Sequence, residues 1–172
     1  MKLLAASLFA ASALVFTAQA DVTVKISEVH LCCKKCVTGA EKAVGKVDGA
    51  TVAVDKDAGT VTLTASDTAT LQKAADSLVA AGYFGKSGDS SVTITSHTGA
   101  TGAKVQSLEV SGVHLCCKKC ATAVDNALKT VSGVKSETAE QGAKKFEVTG
   151  DFTDKDVFAA LEKAGLTGKT EK

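Results

Sequence analysis

From Val22 the chain alternates. Val22, Val24 and Ile26 are apolar while Thr23 and Lys25 are polar, which predicts a half-buried strand. After a cysteine-rich stretch the period changes. Cys36, Ala40, Ala43, Val44 and Val47 recur at spacings of three and four, one face of a helix, with Gly49 as its stop. Val52 and Val54, a turn at Asp57-Ala58-Gly59, then Val61 and Leu63 read as a hairpin. Leu71, Ala74, Ala75, Leu78 and Val79 mark a second helix, with Asp67 as N-cap and Gly82 at its end. A last strand begins at Tyr83, and Ser91 to Thr95 predicts one strand more.

The same order then returns. Leu108 and Val110 stand for the first strand, and Cys120, Val124, Ala127, Leu128 and Val131 for the helix that Gly133 ends. Val134 to Gln141 is a weak strand, and Phe146 and Val148 carry the return. Val157, Phe158, Ala160, Leu161 and Ala164 form the second helical face, between Thr153 as N-cap and Gly165. The last strand begins at Leu166. The order strand, helix, strand, strand, helix, strand predicts an α+β fold. It consists of two tandem ferredoxin-like βαββαβ domains, each with two helices on one face of an antiparallel sheet. The domains are residues 21–97 and 104–172. The linker, 98–103, is small and polar, and is expected to be flexible.

The repeat is sharpest in one place. Val29-His30-Leu31-Cys32-Cys33-Lys34-Lys35-Cys36 recurs unchanged as Val113-His114-Leu115-Cys116-Cys117-Lys118-Lys119-Cys120. These two boxes hold all six cysteines and two of the three histidines. The flanks have drifted, so the copies agree best in their chemistry.

Residues 1–20 read as a signal peptide. Lys2 is followed by an apolar run from Leu3 to Phe16 and by the cleavage motif Ala18-Gln19-Ala20. An exported protein is expected, periplasmic or secreted, with no membrane span after cleavage. The formal net charge is only +1 and arginine is absent. Both features argue against a nucleic-acid partner.

Cysteines in an exported chain usually staple it, but staples sit on separated elements. Here they are packed three and three, which favours metal or redox chemistry. Cys33 and Cys36 straddle a helix start, as do Cys117 and Cys120. Free N–H groups, the helix dipole and the intervening lysines all favour thiolate there. Cys32 and Cys116 can reach the same point from the loop as third sulfur ligands. His30 and His114 are optional fourth donors. Tyr83 and Phe84 read as core, and His97 as solvated. No paired carboxylates, serine–histidine set or phosphate loop is present, so a non-enzymatic protein is expected. A thiol–disulfide redox protein using the same cysteine pairs is the alternative, and a secreted interaction module without metal is a third reading.

A strand–loop–helix carrying M-x-C-x-x-C inside βαββαβ resembles the heavy-metal-associated domain. That domain occurs in copper chaperones, in the N-terminal modules of metal-transporting P-type ATPases and in the exported mercury-binding protein. Leu31 to Cys36 and Leu115 to Cys120 align with its motif. The resemblance puts Cys33, Cys36, Cys117 and Cys120 on the family's metal ligands. It implies a protein that sequesters or hands over soft metal ions, with a metal transporter or acceptor protein as partner. The family's Gly-Met is His30-Leu31 and His114-Leu115 here. Two thiolates suit Cu(I) or Hg(II), and three with an imidazole suit Zn(II) or Cd(II). One ion per domain is expected.

Overall fold

The computed structural model describes residues 20–171. The expected signal peptide therefore lies outside the described residues, apart from Ala20. Each half is a four-stranded antiparallel sheet with two helices. In the first, β1 (Val22–Ser27), α1 (Lys34–Val44), β2 (Ala50–Asp55), β3 (Thr60–Ala65), α2 (Thr68–Ala80) and β4 (Lys86–Ser87) follow in order. In the second, the order is β5 (Lys104–Ser111), α3 (Lys118–Leu128), β6 (Val134–Glu137), β7 (Lys145–Thr153), α4 (Asp154–Lys163) and β8 (Lys169–Thr170). The sheets are ordered β2-β3-β1-β4 and β6-β7-β5-β8. This is the expected ferredoxin-like pair.

The alternation in β1 faces Val24 and Ile26 inward, opposite Leu63 and Val61 of β3. Ala40 and Val44 of α1 and Leu71 and Ala75 of α2 close that core. Phe146, Phe152, Phe158 and Leu161 fill the second core. Asp67 caps α2 by accepting from the Thr70 amide at 2.9 Å. Among the described residues, no helix is long and apolar enough to cross a membrane.

Four expectations need correction. Gly49 and Gly133 do not stop the first helices, which are capped earlier, at Gly45 and Lys129. Both glycines have positive φ and turn the chain into the next strand. Ser91 to Thr95 is not a strand. The Gln72 side chain accepts from the Thr93 amide at 2.9 Å and donates to its carbonyl at 2.8 Å, taking the place of a sheet neighbour. The weak strand after α3 stops at Glu137, and the loop beyond it turns toward the cysteine box, where the Gly142 amide donates to the Leu115 carbonyl. The linker is held in place. The amides of Thr101 and Gly102 donate to the buried Asp154 carboxylate at 2.8 and 2.7 Å, and the Thr170 amide donates to the Thr98 carbonyl.

The domains meet where the last strands were expected to begin. Tyr83 and Leu166 pair with each other across the boundary as a short antiparallel bridge. The Thr167 amide donates to the Gly82 carbonyl, and the His30 and Phe84 amides both donate to the Gly165 carbonyl. Gly82 and Gly165 have φ of 87° and 77°. A Cβ on Gly82 would stand 2.6 Å from the His114 nitrogen, and one on Gly165 2.5 Å from the His30 nitrogen. Glycine is thus required twice, at matching places, for the backbones to approach. The contact relates the halves by an approximate two-fold.

Candidate metal centre

Each cysteine box is pinned by its apolar members. Val29 and Leu31 are buried on either side of His30, as are Val113 and Leu115 around His114. The next residues are forced outward into the loop. Cys33 and Cys117 are the N-caps of α1 and α3, with extended backbones and no side-chain cap bond. Their carbonyls accept from the Cys36 and Cys120 amides at 3.0 Å, which folds each C-x-x-C over its helix start. Cys36 and Cys120 are fully buried, while the other four are half-buried.

The approximate two-fold brings the boxes face to face. Within the first, the Cys32 and Cys33 sulfurs lie 3.6 and 3.7 Å from that of Cys36. Within the second, Cys116 and Cys117 lie 3.7 and 3.8 Å from Cys120. Contacts across the boundary are as short. Cys32 is 3.4 Å from Cys117 and 3.5 Å from Cys120. Cys116 is 3.5 Å from Cys33 and 3.4 Å from Cys36, and Cys36 is 3.9 Å from Cys120. All six thiols are free. What the sequence offers as two sites, one per domain, is a single cluster of sulfur.

Proximity makes the thiols share protons. The Cys120 thiol, donating to Cys36 against the opposing effect of burial, holds Cys36 down at about 2. The same contact, with burial, pushes Cys120 far up. Burial first, and then its neighbours, push Cys32 up to about 12. Burial opposes ionisation of Cys117, but the Cys120 amide and nearby thiols outweigh it, giving about 6. The cluster therefore holds some thiolates and some thiols. Cations would let the remaining thiols ionise.

The two histidines differ although their boxes do not. The His114 ring stacks on Tyr83, with Nε2 3.1 Å from the hydroxyl. Tyr83 in turn donates to the Cys36 carbonyl at 2.7 Å. Burial, followed by the Cys36 charge, pushes the phenol up, so it stays a neutral donor. Gly39 makes this possible, since a Cβ there would overlap the Tyr83 hydroxyl and stand 2.9 Å from His114 Cε1. In the other half the matching residues are Ala123, Leu166 and His30. Leu166 offers no hydroxyl, and among the described residues His30 Nε2 is buried without a partner. His30 comes together with Cys32 and Cys120 as a group able to hold one ion. Burial lowers its pKa, which keeps the imidazole neutral. Tyr83 and Gly39 escape a sequence reading because Tyr83 looks like core, and it is core. The Gly82-Tyr83 pair after α2, answered by Gly165-Leu166, is the signal that could have revealed them.

Residues 107–167 match the family model of the heavy-metal-associated domain. The second domain is a heavy-metal-associated domain. Its twin repeats the octapeptide on the same fold. No curated protein matches the chain. Among solved structures, the N-terminal domain of PacS from Synechocystis PCC6803 is similar at 22% identity, over 40% of this chain and 100% of that one, with a TM-score of 0.36. The N-terminal soluble domains of Bacillus subtilis CopA are similar at 16% identity, over 90% and 97% of the two chains, with a TM-score of 0.35. The apo form of the heavy-metal-associated domain of the copper chaperone for superoxide dismutase is similar at 27% identity, over 51% and 86%, also at 0.35. In this chain free thiols and one imidazole come together, between the two ferredoxin-like folds, in groups that could hold a metal ion.

Proposed function

We propose that this is an exported protein that binds soft metal ions as cargo through Cys32, Cys33, Cys36, Cys116, Cys117 and Cys120, and either sequesters them or hands them to an acceptor. It does no catalysis. The observation that carries the reading is the convergence of six free sulfurs at the N-termini of two helices. Helix N-termini favour anions, and Lys34, Lys35, Lys118 and Lys119 add positive charge beside them. Soft thiolates prefer Cu(I) and Zn(II) over hard cations. The half-buried sulfurs of Cys32, Cys33, Cys116 and Cys117 give an acceptor's thiolates a way in. The leader-like Leu3 to Phe16 run, with Ala18-Gln19-Ala20, supports export and a transporter or acceptor outside the cytoplasm.

Competition titration of the reduced full chain against a chelator, without oxygen, tests the binding. Cu(I) should be retained, and alkylating the cysteines should abolish retention. A protein that yields all its Cu(I) to a weak chelator would contradict the reading. N-terminal sequencing of the recovered protein should find Asp21 first.

A further inference from the structure

The sulfur atoms form a closed figure. Besides the contacts given above, Cys32 and Cys33, Cys33 and Cys117, and Cys116 and Cys117 lie within 4.8 Å of each other. Together the linked pairs are the edges of an octahedron, with Cys32 opposite Cys116, Cys33 opposite Cys120 and Cys36 opposite Cys117. Any four corners of an octahedron include an opposite pair. The linked pairs therefore join no four sulfurs all to one another, as a tetrahedral all-sulfur zinc centre needs. What the cluster offers is triangular faces. A trigonal ion with bonds of about 2.3 Å needs its three sulfurs about 4.0 Å apart. The measured edges of 3.4 to 3.9 Å lie just below that.

We propose that the two domains jointly hold a polynuclear Cu(I)–thiolate cluster of four ions, one on each of four alternating faces. This rests on the reading that the cysteines bind a soft metal. One such set of faces is Cys33/Cys36/Cys116, Cys32/Cys33/Cys117, Cys116/Cys117/Cys120 and Cys32/Cys36/Cys120. Each sulfur then serves two faces, so every thiolate bridges two ions and none is left over. Cu(I) accepts three thiolates where Zn(II) asks for four donors.

Charge favours the same number. Six thiolates with two monovalent ions would leave four negative charges around the fully buried Cys36 and Cys120, a costly burial. With four ions, two remain. Those two sit where the dipoles of α1 and α3 and the lysines that follow Cys33 and Cys117 stabilise an anion. His30 adds a donor at the Cys32–Cys120 edge and breaks the two-fold, since Tyr83 occupies His114.

The test is anaerobic Cu(I) titration of the reduced full chain, read by native mass spectrometry and by copper X-ray absorption. The expected result is a dominant four-copper species per chain, all-sulfur or nearly so, with a copper–copper scattering path. Cys32→Ser removes one corner of two faces in either alternating set. It should cut the copper number from four to two with the circular dichroism unchanged. Saturation at any number other than four, or the absence of a copper–copper path, overturns the cluster while leaving soft-metal binding intact. Failure to bind Cu(I) at all overturns the underlying reading instead. If Cys32→Ser does not fold, the wild-type copper number and scattering path decide alone.

Discussion

The Tyr83 hydroxyl stands 3.1 Å from His114 Nε2, while Leu166, the residue that matches Tyr83 in the other half, has no hydroxyl to offer. One identical octapeptide thus meets two different neighbours. Tyr83→Phe removes the buried hydroxyl that donates to the Cys36 carbonyl and pairs with His114 Nε2. It should lower stability by about 1–3 kcal/mol. Gly39→Ala, whose methyl would overlap that hydroxyl, should cost about as much alone but much less in the Tyr83→Phe background. Thermal melts of the two single variants and the double variant check the coupling.

The histidines should respond unequally to substitution. His30 Nε2 is buried and, among the described residues, unpartnered, so His30→Leu should leave the metal-free protein as stable or make it more so. His114→Leu breaks the Tyr83 contact and should destabilise. With metal the order should reverse. His30→Ala should weaken Zn(II), which lacks a fourth sulfur, more than Cu(I), and His114→Ala should change both little. Paired melts and competition titrations separate the two roles.

Much of this molecule is legible in its sequence, because periods of two and of three to four are set by the strand and helix themselves. Val24 and Ile26, the face of α1 and the Asp67 cap all follow from spacing. The membership of the sulfur cluster is legible too, since all the cysteines lie in the two boxes. The meeting of the boxes is not. Which faces of two domains touch depends on a few close approaches far apart in the chain, such as Gly82 against His114 and Gly165 against His30. Nothing periodic reports them. The segment from Ser91 to Thr95 misleads for a related reason. It alternates like a strand, yet its buried Val92 and the Gln72 amide answer it without a sheet.

Those glycines give the next expectation. Alanine at Gly82 or Gly165 meets the partner domain's backbone in a conformation that L residues rarely adopt. Each substitution should cost roughly 1–3 kcal/mol and loosen the boundary. Small-angle scattering should show a larger radius of gyration for Gly82→Ala with Gly165→Ala than for the wild type. The circular dichroism should stay close to that of the wild type, because each domain keeps its own core.

Asp154 ties the linker to α4, and its carboxylate should report on pH. Burial acts to raise its pKa, but the Thr101 and Gly102 amides outweigh burial and lower it. A depressed carboxylate contributes stability above its unfolded pKa of about 3.9 and loses it as pH falls through the folded value. Asp154→Asn should therefore cost about 2 kcal/mol near neutral pH. The gap to the wild type should close as pH drops below the carboxylate range. Denaturant melts at neutral and acid pH check the sign.

Whether the six cysteines make one centre or two is decided by removing one box. The measurement is the Cu(I) capacity and affinity of the reduced full chain and of its Cys116→Ser, Cys117→Ser, Cys120→Ser variant, by chelator competition. A shared centre predicts that the variant keeps well under half the capacity, and that Cys32, Cys33 and Cys36 hold what remains more weakly than in the wild type. A variant that keeps half the capacity at undiminished affinity would mean two independent sites, and would contradict the shared centre.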